Sequence, residues 1–131
     1  MHVLVVTVVH RPDDARVRHR QISALLEAGH EVTFAAPWAG WRVPLPHPLP
    51  GLTTIDLPRA SGRSRGAAAR AARRLLAAPR ADLVLVHDPE LVPWIRQGTP
   101  AVWDIHEDTA AALGLKAWLP GPVRGTAAGL V

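Results

Sequence analysis

Val3-Leu4-Val5-Val6-Thr7-Val8-Val9-His10-Arg11-Pro12-Asp13-Asp14, just after Met1-His2, is the most informative stretch for the fold class. Val3 to Val9 is a nearly unbroken β-branched run. A run without polar alternation fits a strand covered on both faces, as in a parallel sheet. His10 to Asp14 makes a turn, and Asp13 or Asp14 can cap a following helix. Ile22, Leu25, Leu26 and Gly29 fall on one helical face, with Gly29 a natural C-terminal stop. Glu31 to Ala36 reads as a second strand, ended by Pro37. The first 36 residues thus spell a βαβ unit with short joints.

The pattern continues outward. Leu52 to Leu57 is a third strand, and Gly66 to Ala78 an Ala/Arg-rich helix ended by Pro79. Asp82 to Val86 is a fourth strand, Pro89 to Gln97 a short helix before Gly98, and Ala101 to Ile105 a fifth strand. Alternating strands and helices predict an α/β fold: a Rossmann-like three-layer α/β/α single domain over residues 1–131, with a mostly parallel sheet of about five strands or more and right-handed crossovers. Two loops interrupt it. Pro37 to Gly51 carries five prolines with Trp38 and Trp41, and Arg59 to Arg65 is a basic loop with Ser61, Gly62 and Ser64. Residues 120–131 read as the start of an element that is cut short.

Bulk composition narrows the classes. With 131 residues and 48% apolar content, the chain has the size and substance of one domain. No cysteine is present, which removes disulfides, thiolate metal sites and cysteine nucleophiles. The first apolar run is too short for a signal peptide, and no run approaches the roughly 20 residues of a membrane span. The net charge of +4 permits phosphate, nucleic acid or an acidic membrane as partner without choosing among them. No Gly occurs before Gly29, so the first turn holds neither G-x-G-x-x-G nor a Walker loop. No G-x-S-x-G elbow exists either.

Ligands of open α/β sheets bind beyond the C-terminal strand ends, where strand order reverses. In the usual Rossmann-like order, 3-2-1-4-5, strands one, four and five are neighbours. Their tips carry His10, His87-Asp88 and His106-Glu107-Asp108. Three of the seven histidines therefore converge on one edge. His106 can donate to a ligand oxygen or shuttle a proton near neutral pH, or close a strand end against backbone. Asp88 suits the cap of a helix beginning at Pro89, and can also hold His87 in place. Glu90 suits that helix's dipole. Arg16, near the cap of the first helix, can hold an anion, whereas Arg18 and Arg20 read as a solvated face. Arg59 to Arg80 holds seven arginines and no acid, a solvated face or a contact for anionic lipid headgroups. Trp38 and Trp41 read either as loop pins or as sugar-stacking groups.

Three blocks carry a resemblance. Val8 to Arg16 followed by Leu25 to Val32, then His87-Asp88-Pro89-Glu90-Leu91-Val92-Pro93, then Trp103-Asp104-Ile105-His106-Glu107-Asp108 with Trp118-Leu119-Pro120 resemble the N-terminal domain of bacterial family-four glycosyltransferases of the GT-B fold. The resemblance covers nearly the whole chain. It implies two Rossmann-like domains facing across a cleft, the N-terminal one holding the acceptor and the C-terminal one the nucleotide-sugar donor. It further implies retaining transfer without cofactor or bound metal, to a glycan, lipid-linked or small-molecule acceptor. His106 is then the catalytic orienting or polarising group. His10, Asp14, Arg16, His87, Asp88, Glu90, Glu107 and Asp108 would line the cleft. Many relatives carry a Gly-Gly pair in the first loop, which this chain lacks. The donor half is not in these 131 residues, so this chain alone is expected to be inactive and its exposed interface to permit a homodimer. A cytoplasmic setting, at or near the inner membrane face and without a nucleic-acid partner, completes the expectation.

Two other classes compete. A non-catalytic Rossmann-like binding or regulatory module needs the same fold and no chemistry. A metal-dependent hydrolase would use the histidines and acids as ligands, but their spacing is adjacent and no H-E-x-x-H is present.

Overall fold

The computed structural model describes residues 1–78 and 81–105. Five strands form one all-parallel sheet in the order β3-β2-β1-β4-β5: β1 is His2–Val6, β2 Glu31–Ala36, β3 Leu52–Asp56, β4 Leu83–Val86 and β5 Ala101–Trp103. This is the predicted α/β class and the predicted strand order. The sheet reverses direction of growth at β1, where β2 lies on one side and β4 on the other. A crevice for ligand opens at such a point.

Parity along the strands explains the two cores. Leu4 and Val6 of β1, with Val84 and Val86 of β4, face the layer holding Ala68, Ala72 and Leu76. Those three belong to α2, Arg65–Ala77. Val3 and Val5, with Val32 and Phe34 of β2, face the other layer, where Val17 and Ile22 are buried. A central strand covered on both faces needs apolar residues at every position, which is why β1 shows no alternation. Burying each such Val, Leu or Phe contributes about 1.5–3 kcal/mol.

The helix after β1, here α1, spans residues 15–27. Its first part, Ala15–Ile22, is wound in π turns, and Ser23–Glu27 is α-helical. Asp14 caps it, its side chain accepting from the Arg16 and Val17 amides at 2.9 and 3.2 Å. The helix stops at Gly29, whose φ of 84° suits a residue without Cβ. Gly29 N–H donates to the Leu26 carbonyl and His30 N–H to that of Leu25, each at 3.0 Å, a Schellman closure.

The strand and helix bounds read from sequence are met within one to three residues. The segment after β4 is the exception in kind. Pro89–Trp94 is a 3-10 helix, and Pro93 inside it removes the backbone donor that a longer α-helix would need. Of the proline-rich loop, Trp38 is buried edge-on against Phe34, with ring centroids 5.5 Å apart. It serves as a pin. Within the described residues no helix is long and apolar enough to cross a membrane.

Candidate functional site

Register builds the site. Val6 pairs with Ala35 and with Val86, and Val86 with Trp103. One step further, Thr7, His87 and Asp104 stand level at the tips of β1, β4 and β5. Their amides donate to Ala35, Val6 and Val86 carbonyls at 3.0, 3.3 and 2.9 Å. By the same parity that divides the cores, His87 and Asp104 turn toward the α1 layer. There they meet Arg16 and Gln21.

Asp104 is the hub of that side. Its Oδ1 accepts from the Arg16 guanidinium, and its Oδ2 from the Gln21 amide. The same Oδ2 lies 3.5 Å from His87 Nδ1. The π winding makes this possible. Arg16 and Gln21 are five residues apart, and i→i+5 turns bring such residues toward one face. At 3.6 residues per turn they would point well apart.

Asp88 is the hub of the other side. It is 1% exposed. Both carboxylate oxygens accept from the Thr7 hydroxyl at 3.0 Å, and Oδ2 also accepts from the Val8 amide at 2.6 Å. His10 Nε2 stands 3.4 Å from Oδ1. Burial pushes the Asp88 carboxyl up to about 6. The Val8 amide opposes that shift, the Glu90 charge adds to it, and His10 and Thr7 oppose it. The cap expected from Asp88 is absent: it occupies the N-cap position before Pro89, but its side chain makes no cap bond. It reaches across to β1 instead, because the buried Val8 amide and Thr7 hydroxyl need an acceptor there. It therefore holds His10 and Thr7, while His87 is held from Asp104.

The two hubs meet through the histidines, whose rings stand edge to face with centroids 6.3 Å apart. His87 has a wholly buried side chain, and His10 is 24% exposed. His10 is thus the imidazole of the pair that reaches solvent. A carboxylate behind an imidazole fixes its orientation, so His10 can hydrogen-bond a ligand hydroxyl from a set direction. Arg16 supplies a positive charge held on Asp104.

Among the residues expected at the site, His10, Arg16, His87 and Asp88 come together. Asp14 is engaged as the helix cap, and Glu90 is exposed on the first turn after β4. His106, Glu107 and Asp108 lie outside the described residues. Three members were missed in the sequence: Thr7, Gln21 and Asp104. Thr7 had a signal, as the one hydroxyl in the run from Val3 to Val9. Gln21 had none, since α periodicity sets it away from Arg16. Among the described residues, no three His, Asp or Glu side chains gather closely enough to hold a metal ion.

Comparison of the chain with known protein families, curated protein sequences and solved structures finds no match in any of the three.

Proposed function

We propose that this chain is the acceptor-side Rossmann-like domain of a retaining glycosyltransferase of the two-domain GT-B type. The observation that carries the reading is the joined network of His10, Asp88, His87, Asp104 and Arg16 at the tips of β1, β4 and β5. Imidazole, carboxylate and guanidinium groups fixed by one another suit recognition of a polyhydroxyl ligand, because each sugar hydroxyl both donates and accepts. The first turn has no glycine-rich phosphate cradle, which fits a donor held mainly by another domain.

In this reading His10 and Arg16 face the acceptor, and Asp88 and Asp104 hold them in place. His106 orients or polarises the donor sugar. The nucleotide-sugar contributes its glycosyl group, and the acceptor is a sugar, a lipid-linked or a small molecule. The acid-free arginine stretch from Arg59 supports peripheral contact with an anionic membrane from the cytoplasmic side.

Amide chemical-shift mapping of the isotopically labelled chain tests the reading. Methyl glycosides of common hexoses, UDP-glucose and GDP-mannose are the probes. The expected result is that at least one glycoside shifts the His10, Arg16, His87 and Asp104 amides together. If none of these ligands moves that set, the sugar-transferase reading is wrong.

A further inference from the structure

A second feature lies on the same sheet edge, at the tips of β2 and β3. It is an open depression of about 560 Å³ lined by Ala39, Gly40, Asp56, Pro58, Arg59 and Ser61 among others. Two hydrogen bonds tie its walls to the exit of β1. Ala60 N–H donates to the Val8 carbonyl at 2.8 Å, and the Trp41 indole N–H to the Val9 carbonyl at 3.2 Å. The loops that form the depression are thereby tied to the backbone just before His10.

Arg59 is its distinctive group. The guanidinium stacks 3.4 Å from the centroid of the Trp41 ring. Stacking uses the guanidinium face and leaves its N–H edges directed outward, in the fork that matches a phosphate. Arg11, 5.5 Å from the same ring, is already engaged by both oxygens of Asp13. Arg59 has no carboxylate at ion-pair distance among the described residues. Asp56, the acid in the lining, turns Oδ1 to the Ala39 amide at 3.0 Å. Gly40 makes the arrangement sterically possible: a Cβ there would stand 2.6 Å from Arg59 Cβ. Ser64 Oγ donates to the Arg59 and Ser61 carbonyls and so fixes the loop from the other end.

We propose that this depression is an anion subsite in which Arg59, positioned by Trp41, grips a phosphate group carried by the acceptor. The word acceptor rests on the sugar-transferase reading; the anion rests on Arg59, its aromatic shelf and the depression. A ligand spanning both features would place its phosphate at Arg59 and a hydroxyl at His10. Trp41 is a positioning residue, and Arg59 makes the contact.

The test is a titration of the labelled chain with inorganic phosphate at fixed ionic strength. The Trp41 indole N–H, the Arg59 Nε–H and the Gly40 and Ser61 amides are expected to shift together, with chloride failing to reproduce the pattern. R59Q should weaken the apparent Kd about tenfold, the loss of one charge-assisted contact, while R63Q leaves it unchanged. Shifts spread evenly along Arg63, Arg65, Arg70, Arg73 and Arg74, or an affinity indifferent to R59Q, overturn the proposal. Should R59Q lose its amide dispersion, the wild-type map decides alone. A centre at Gly40 to Ser61 supports the subsite, and any other centre refutes it.

Glucose 6-phosphate and geranyl phosphate separate the sources of the group. Whichever binds more tightly than phosphate itself assigns a sugar phosphate or a lipid carrier. The two readings also fail separately. Phosphate at Arg59 without any glycoside at His10 sinks the transferase and keeps the anion site. Glycosides at His10 with phosphate indifferent to Arg59 do the reverse.

Discussion

Asp88 shows how one residue can be assigned to the right place and the wrong task. An acid before a proline reads as a helix cap, because short-range rules see only the next turn. The carboxylate instead answers a demand 80 residues away in sequence, the Val8 amide and Thr7 hydroxyl left at the end of β1. Its burial has a measurable consequence. The carboxyl titrates near 6 in the folded chain against an ordinary 3.8, so between those values the folded state holds a proton the unfolded state has lost. The stabilisation tied to that proton is complete below about pH 4 and is lost as pH rises through about 6, a drop on the order of 3 kcal/mol. Asp88→Asn cannot titrate. Urea unfolding from pH 4 to 7 should therefore show wild-type stability falling relative to the variant; parallel curves would contradict the buried, proton-holding carboxyl. Thr7, Gln21 and Asp104 belong to the same lesson. Their partners lie just past the ends of other strands or on a helix wound by i→i+5 bonds, and such pairings are not encoded in local spacing.

At the scale of elements, the helix ends were legible and the winding was not. Asp14 and Gly29 sit where capping chemistry requires them, and both act as their residue types predict. Gly29→Ala should cost about 1 kcal/mol, since φ of 84° is strained for any residue with a Cβ. Nothing else lies within 4 Å of a Cβ at that position, so the effect isolates backbone strain from packing. A shift of the urea midpoint with unchanged slope is the expected signature; no shift would remove the Schellman closure from the account. The π turns of Ala15–Ile22 have no comparable residue signature. They set Arg16 and Gln21 where both reach Asp104, the residue after β5. The 3-10 segment Pro89–Trp94 lies between these cases, because Pro93 announces the interruption but not its geometry.

For the molecule as a whole, the sheet order ranks the strands. β1 is flanked by β2 and β4 and covered by helical layers on both faces, while β3 is an edge. Amide hydrogen exchange should accordingly be slowest in Val3 to Val6 and clearly faster in Leu52 to Asp56. Equal protection of the two would conflict with β1 as the centre of the cooperative unit. The strand-end groups inherit this gradient, since His10, His87 and Asp104 leave the sheet from its centre and one side. The Arg59 depression instead leans on the β3 edge.

With strand order taken from the usual Rossmann-like arrangement, the α/β class, the number of strands among the described residues and most strand bounds could be read from the amino-acid sequence. Those properties follow from runs, periods and caps that act over a few residues, and unbroken apolar strands suit only a sheet covered on both faces. It also determined that His10, His87 and Asp88 would gather at one edge, because strand ends in such a sheet share a level. Which groups bond to one another at the strand ends and loops was set by three-dimensional packing: Asp88 to Thr7 and Val8, Asp104 to α1 and His87, and Arg59 to the ring of Trp41. The physical reason is that buried polar groups must be satisfied by whatever stands within about 3 Å. Register, helix winding and loop packing decide that neighbour together, and none of them is a property of a local stretch of chain.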